Sequence, residues 1–167
     1  MTTVIFSHGQ ESGPWGTKIR AMSERVKAMG CRVDSIDYQG IVDPTERVEK
    51  LVRECADIDD TLILVGSSMG GHVATAGAEA LGAVGLFVLA PAFYMDGFEE
   101  LTPPPPTMPI CIVHGWHDDI VPVENSLRFA QSCSATLHIV DGDHRLTANI
   151  AEINEYLEQF IKTTISA

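Results

Sequence analysis

The chain has 167 residues, of which 45% are hydrophobic and 20% charged, and its formal net charge is −12. This length favours one domain over residues 1–167, with enough chain to bury a core of its own. The acidic balance argues against nucleic acid and anionic membrane surfaces as partners, because both select basic proteins. No apolar run approaches the roughly 20 residues that a membrane-spanning helix needs, so we expect no membrane partner.

Apolar segments of strand length alternate with segments of helical period along the chain. The predicted strands are TTVIFSH (2–8), CRVDSIDY (31–38), TLILVGS (61–67), AVGLFVLAP (83–91), MPICIVHG (108–115) and ATLHIVDG (135–142). The predicted helices are 17–30, 44–58, Met69 to about Leu81, 121–133 and about Leu146 to Lys162. This alternation predicts an α/β fold: a doubly wound, mainly parallel six-stranded sheet with helices on both faces.

Local signals mark two of the predicted helix ends. Gly30 follows the last periodic residue of the first helix, as a C-terminal glycine does. Asp43 precedes Pro44, a pair typical of a helix start. The third strand is continuously hydrophobic, so we expect it in the centre of the sheet, and segment 92–107 fits neither period.

The four cysteines give no strong sign of disulfides. They are far apart in sequence, none forms a CxxC pair, and no secretory signal precedes the first strand. An even number still permits two disulfides, but we expect reduced thiols and a cytoplasmic protein. The cysteines are Cys31, Cys55, Cys111 and Cys133.

Polar side chains follow four of the predicted strands at the point where each strand ends. In an open parallel sheet, ligands bind beyond the carboxyl ends of the strands. Four strand ends with reactive residues therefore predict a site at this edge. The segments are SHGQ (7–10), GSSMG (66–70), HGWHDD (114–119) and DGDH (141–144).

Residues Gly66 to Gly70 match G-x-S-x-G, with a hydrophobic strand before them and a predicted helix after them. This pattern is typical of a nucleophile elbow, a turn so sharp that glycines must flank a strained, exposed serine. Ser68 is therefore the candidate nucleophile, and Ser67 is a small filler. The alternative is a glycine-rich turn without a reactive role.

A serine hydroxyl needs a base, and His144 is the best candidate among six histidines. It follows the sixth strand directly before the last helix, and it fits the chain order Ser, Asp, His. The alternative for His144 is a solvated loop position. Two other histidines precede glycines at strand ends and suit structural roles, whereas three occupy ordinary helix, strand or loop positions. In that order these five are His8, His114, His72, His138 and His117.

The acid that orients the histidine is expected at Asp118, in the spacing Gly115-x-x-Asp118-x-x-Val121-Pro122. Its neighbour Asp119 is the next alternative, although it also suits a helix cap or a solvated position. Two further carboxylates, Asp141 and Asp143, are too close to the histidine along the chain to bond its ring comfortably.

The oxyanion that forms during acyl transfer needs two fixed donors. We expect one to be the backbone N–H of Met69, directly after the nucleophile at the start of a helix. The other is the backbone N–H of Gln10, in the loop after the first strand. A plain glycine turn is the alternative for this loop.

Together these motifs resemble those of the α/β-hydrolase superfamily. The matching segments are SHGQ (7–10), GSSMGG (66–71), HGWHDDIVP (114–122) and GDHR (142–145). More narrowly, the chain is similar to small, capless, single-domain serine hydrolases and esterases. The resemblance implies Ser68, Asp118 and His144 as the triad, with Gln10 and Met69 as oxyanion donors.

The chain departs from the larger superfamily members in two ways. Those proteins begin with two further antiparallel strands, and many insert a cap domain where this chain has only residues 92–107. We therefore expect a minimal α/β-hydrolase fold lacking both features. A site without a cap should be shallow and open, and should favour small or exposed acyl groups.

Aromatic residues near the predicted strand ends are candidates for the substrate pocket. Each also has a structural alternative, as a loop-packing residue or as a cover for the core. The candidates are Trp15, Phe93, Tyr94 and Trp116, with Met95 and Phe98 as further members of an apolar lip.

The motifs predict a serine hydrolase that cleaves small carboxylic esters through an acyl-enzyme. A thioesterase or peptidase would use the same triad, and a non-catalytic pseudo-hydrolase scaffold would share only the fold. We expect no cofactor and no metal, since HGWHDD lacks a helical HExxH arrangement. The expected partner is a small ester or acyl substrate, and the expected state is a monomer or homodimer.

Overall fold

Six strands alternate with five helices in the computed structural model, which describes all 167 residues. The strands are β1 (Thr2–Ser7), β2 (Arg32–Ile36), β3 (Thr61–Ser67), β4 (Gly85–Leu89), β5 (Ile110–Gly115) and β6 (Thr136–Val140). The helices are α1 (Thr17–Ala28), α2 (Pro44–Cys55), α3 (Met69–Gly77), α4 (Val123–Cys133) and α5 (Ile150–Ile165). Two 3₁₀ turns cover Glu99–Leu101 and Thr147–Asn149.

The strands form one sheet in the order β2-β1-β3-β4-β5-β6, and all five neighbouring pairs are parallel. The order reverses direction after β2, so helices cover both faces, and the predicted doubly wound fold is confirmed. β3 lies inside the sheet between β1 and β4. This position explains its hydrophobic run at residues 62–65, because strands pair with both of its edges and helices cover both of its faces.

Alternating side chains of the strands supply two separate cores. One face of the sheet packs against α2, α3 and α4, with Leu51, Val73 and Phe129 among its buried residues. The other face packs against α1 and α5, with Met22 and Leu157 among its buried residues. Successive strand residues point to opposite faces, which is why the central strands carry several hydrophobic residues in a row.

Both local helix signals are present in the structure. Gly30 has φ +86°, just beyond the end of α1, where a residue with a side chain would be strained. The Asp43 carboxylate accepts a hydrogen bond from the backbone N–H of Thr45 at 2.9 Å, at the start of α2. Gly30 therefore marks the end of α1, and Asp43 caps the start of α2.

Two helices differ from the sequence prediction by about four residues at one end, and the others by fewer. α3 ends at Gly77 rather than near Leu81. α5 begins at Ile150 rather than near Leu146, because Leu146 has φ 56° and a 3₁₀ turn follows it. A left-handed residue cannot continue a right-handed helix, so the loop after β6 extends further than its hydrophobic period indicates.

The segment between β4 and β5 contains no domain insertion, only irregular chain and the 3₁₀ turn Glu99–Leu101. The four cysteines are free thiols. None of the helices has the length and apolar character needed to cross a membrane.

We predict that Leu157→Ala in α5 lowers the free energy of unfolding by about 2–5 kcal/mol, because it opens a cavity under a fully buried side chain. The matched control is Leu127→Ala in α4, where the side chain is 44% exposed. Its effect should stay below about 1 kcal/mol. Urea unfolding followed by circular dichroism measures both values, and equal losses would contradict the assignment of this core.

Candidate active site

The loops after β3, β5 and β6 bring three predicted residues within hydrogen-bond distance. The Oγ of Ser68 lies 3.0 Å from Nε2 of His144, and Nδ1 of the same ring lies 2.8 Å from Oδ2 of Asp118. The His144 side chain is 18% exposed, whereas that of Asp118 is completely buried. In this hydrogen-bonded order, the imidazole can take the proton of the serine hydroxyl, and the carboxylate can orient the imidazole and stabilise its cation.

Ser68 is held in a backbone conformation that residues with side chains rarely adopt, with φ 57° and ψ −119°. Its own backbone hydrogen bonds hold it there. The N–H donates to the carbonyl of Leu89 at 2.9 Å, and the carbonyl accepts from the N–H groups of Ala92 at 3.0 Å and His72 at 3.3 Å. The sharp turn from β3 into α3 is therefore anchored on both sides.

The glycines of the elbow are required by close backbone approaches. A Cβ at Gly66 would lie 2.2 Å from the carbonyl oxygen of Gly70. A Cβ at Gly70 would lie 2.0 Å from the carbonyl oxygen of Ser7, at the end of β1. Both distances are far inside van der Waals contact, so only glycine allows α3 to start directly against β1 and β3.

Asp118 is fixed by four hydrogen-bond donors. Its Oδ1 accepts from the backbone N–H groups of Ile120 at 2.9 Å and Val121 at 2.8 Å. Its Oδ2 faces His144, and also lies 3.0 Å from Nε2 of His114. Burial alone would raise the pKa of this carboxyl, but the donors outweigh burial and hold the pKa well below its usual range. The group is therefore a carboxylate at neutral pH.

The rival carboxylates lie elsewhere. Asp119 is exposed and caps no helix, since α4 begins after Pro122. Asp141 contacts the exposed His117 at 2.9 Å. Asp143 accepts at 3.0 Å from the backbone N–H groups of the second and third residues after it, which shapes the loop that carries the candidate base. Only Asp118 contacts that base.

His114 is a contributor that sequence reasoning did not connect with the site. Its ring is fully buried, with Nδ1 2.7 Å from Oγ of Ser126 and Nε2 2.9 Å from the carbonyl oxygen of Val121. Nε2 also faces Asp118, four residues further along the chain. The spacing HGxxD, from His114 to Asp118, is visible in the sequence. It does not by itself show that both side chains point into the protein and contact each other.

The predicted oxyanion donors lie on the two segments that flank the candidate nucleophile, Ser68. Met69 is the first residue of α3, so its N–H belongs to the unpaired first turn of that helix. Gln10 is exposed in the loop after β1. That loop passes beside the candidate nucleophile, because a Cβ at Gly9 would lie 3.4 Å from Cβ of Ser68.

The pocket prediction is wrong for Phe93. Its side chain is fully buried and stacks on Phe129 of α4, with ring centroids 4.1 Å apart. It belongs to the core between the sheet and α2, α3 and α4. The next residue, Tyr94, is only partly buried, and the guanidinium of Arg128 lies 3.9 Å from its ring centroid.

The two tryptophans are exposed to different extents. Trp116 is 59% exposed in the loop that carries the candidate acid. Trp15 is 38% exposed and lies along α1, where Nε of Arg20 donates to its carbonyl at 2.8 Å and Nζ of Lys27 lies 6.0 Å from its ring. These contacts tie Trp15 to the outer side of this helix.

A family model of the alpha/beta hydrolase domain matches residues 1–166. The chain belongs to the alpha/beta hydrolase family. No curated protein sequence is significantly similar to it. The fold and the order of the reactive loops agree with this membership.

Solved structures with the same fold cover nearly the whole chain. A protein of the alpha/beta hydrolase superfamily from Xanthomonas campestris pv. campestris is 27% identical with a TM-score of 0.88, over 96% of this chain and 98% of that one. A second Xanthomonas campestris protein, an α/β serine hydrolase without a lid, is 20% identical with a TM-score of 0.76, over 97% and 81%. Est1E from Butyrivibrio proteoclasticus, solved with ferulic acid, is 17% identical with a TM-score of 0.85, over 100% and 90%.

We predict that Gly70→Ala lowers the free energy of unfolding by about 3 kcal/mol or more, since the new methyl group would collide with two backbone carbonyls of β1 and its loop. Gly16→Ala is the matched control, because a Cβ there would meet nothing within 4 Å. Thermal and urea unfolding measure both variants. A stable Gly70→Ala protein would show that the elbow is less tightly packed than the structure indicates.

The depressed pKa of Asp118 makes part of the stability dependent on pH. Its contribution is complete above the unfolded-state pKa of about 3.9 and is lost as pH falls towards the lower folded-state pKa. We expect the difference in unfolding free energy between wild type and Asp118→Asn to be constant from pH 7 to pH 5 and to shrink towards pH 3. Asp119→Asn is the control, with little effect throughout. A constant Asp118 difference down to pH 3 would contradict this prediction.

Proposed function

We propose that this chain is a serine hydrolase that cleaves small carboxylic esters through an acyl-enzyme. The observation that carries the proposal is the hydrogen-bonded sequence of Ser68, His144 and Asp118, with the serine on a strained elbow. A structural serine has no need of this strain or of a buried carboxylate behind its partner. Family membership supports hydrolase chemistry, and the geometry suggests how it proceeds.

In the proposed mechanism, Ser68 attacks the ester carbonyl while Nε2 of His144 takes the hydroxyl proton. Nδ1 of the same ring donates to the Asp118 carboxylate, which fixes the tautomer and stabilises the cation that forms. The backbone N–H groups of Gln10 and Met69 donate to the oxyanion. The histidine then protonates the leaving alcohol, and water cleaves the acyl-enzyme with help from the same base.

The substrate class follows from what surrounds the elbow. The segment between β4 and β5 supplies only loop and a single 3₁₀ turn, so no domain closes over Ser68. One structural neighbour is likewise a serine hydrolase without a lid. An open site gives little enclosed apolar surface to a long acyl chain. We therefore propose short acyl groups, or esters whose bulk remains outside the protein.

We predict that p-nitrophenyl esters are hydrolysed, with acetate and butyrate favoured over dodecanoate. Ser68→Ala, His144→Ala and Asp118→Asn should each lower kcat by roughly 10³–10⁶. Each variant has a matched neighbour that makes no contact in the relay, namely Ser67→Ala, His117→Ala and Asp119→Asn, and these should retain activity. Methyl ferulate belongs in the panel because ferulic acid occupies a structural neighbour.

The same proteins separate the competing functions. Preferential turnover of an acyl thioester or a peptide amide would replace the ester assignment while keeping the mechanism. A fluorophosphonate probe reports an activated serine without any substrate. Absence of both labelling and turnover in wild type would overturn the proposal and favour a binding scaffold.

A further inference from the structure

Arg47 carries a charge and yet is almost completely buried, which is unusual for an arginine. Its side chain is only 2% exposed, inside the protein between α2 and the loop after β1. No carboxylate lies within ion-pair distance of its guanidinium. Burial of an unpaired guanidinium is unfavourable unless its N–H groups are satisfied.

The partners of Arg47 are backbone carbonyls. Its Nε donates to the carbonyl of Ile41 at 2.7 Å, and its Nη1 faces the carbonyl oxygens of His8 at 3.4 Å and Gly9 at 3.3 Å. The guanidinium also lies 5.4 Å from the ring centroid of Tyr38. Two of its three carbonyl partners therefore belong to the loop after β1, which carries the proposed oxyanion donor.

A second buried donor holds the same Gly9 carbonyl. Nδ1 of His8 lies 2.7 Å from this oxygen, while Nε2 accepts from the backbone N–H of Tyr38 at 2.8 Å. Since a backbone N–H can only donate, Nε2 carries no proton and Nδ1 is the donor. Burial lowers the pKa of His8, which keeps this neutral tautomer near pH 7. The Gly9 oxygen thus accepts from both His8 and Arg47.

The Gly9 carbonyl and the Gln10 N–H are two ends of one peptide group. No peptide bond in the chain is cis, so these two groups point in opposite directions. Donors that fix the carbonyl in the interior therefore also fix the N–H on the opposite side of the peptide plane. The same loop passes beside Ser68, since a Cβ at Gly9 would lie 3.4 Å from Cβ of that residue. A cation on the carbonyl oxygen also polarises the peptide and strengthens the N–H as a donor.

We propose that Arg47 is a positioning residue for the oxyanion hole, acting through the Gly9 carbonyl on the N–H of Gln10. This inference rests on the proposed function, since it assigns a second donor to the same reaction. His8 also positions the Gly9 carbonyl, to which it donates as a neutral imidazole. Arg47 supplies the charge, and it never touches the substrate.

The proposal differs from a purely structural role in what it predicts for kinetics. A residue that merely stabilises the fold alters the amount of active protein, but not the turnover of each folded molecule. A residue that aims an oxyanion donor alters the transition state more than the ground state, so kcat falls while KM changes little. Turnover per active site separates these cases.

The test compares Arg47→Met, Arg47→Lys and wild type with p-nitrophenyl acetate, after titration of active sites with a fluorophosphonate. Arg47→Met keeps side-chain length without charge or donors, and we expect kcat per titrated site to fall roughly 10- to 100-fold with KM within about twofold. Arg47→Lys, which restores one cationic donor, should recover part of the loss. The inhibition constant of a phenylboronic acid, whose adduct places an oxygen in the oxyanion hole, should rise in parallel.

Arg25→Met is the matched control. Arg25 also joins two elements, pairing from α1 with Glu155 and Glu158 of α5, but it lies outside the loops of the site. Its variant should lose stability and keep its turnover.

An Arg47→Met protein with wild-type kcat per titrated site would overturn the inference while leaving the proposed function intact. Should Arg47→Met not fold, unchanged turnover and boronate affinity in Arg47→Lys would overturn it as well. A wild type that neither hydrolyses esters nor reacts with the probe would instead count against the proposed function.

Discussion

The close approach of two glycines to neighbouring backbone carbonyls is the constraint on which the rest of the structure depends. Gly66 and Gly70 let β3 turn into α3 with no intervening loop, and Gly70 rests directly on the end of β1. The turn forces Ser68 into its strained conformation and exposes its hydroxyl. It also places the N-terminus of α3 next to the Ser68 hydroxyl, so the same turn positions the candidate nucleophile and the candidate donors at the helix end.

The other reactive residues reach this point because the sheet is entirely parallel. Parallel strands end at the same edge, so the loops after β5 and β6 arrive beside the elbow without any long excursion. These two loops also pack tightly against each other, since a Cβ at Gly115 would lie 2.2 Å from the carbonyl oxygen of Gly142. Asp118 and His144 follow these glycines by three and two residues in the printed sequence. Their separation is therefore set by backbone packing rather than by mobile side chains.

Features that depend on neighbouring residues in the chain can be predicted from the sequence. Burial and contacts that depend on distant segments cannot. The elbow glycines and the alternation of strands and helices are local patterns, so Ser68 and the parallel sheet follow from them. Asp118 stands beside an identical residue, and only the inward turn of the chain separates the two. Phe93 has the composition of a lip residue, yet packing against α4 buries it. Nothing in the sequence around Arg47 distinguishes it from a solvated residue of an amphipathic helix, because two of its three carbonyl partners lie nearly forty residues away.

Buried polar groups lie behind the candidate site, whereas no inserted domain covers its opposite side. Asp118 has His114 behind it, and the loop after β1 has His8 and Arg47 behind it. Each of these polar side chains loses hydration on burial, and its hydrogen bonds offset that loss only in the observed arrangement. The arrangement therefore resists small displacements of the acid and of the oxyanion loop. Because these groups are already fixed before substrate arrives, a lid is not required to assemble them, and the absence of an insertion after β4 is compatible with a preorganised site.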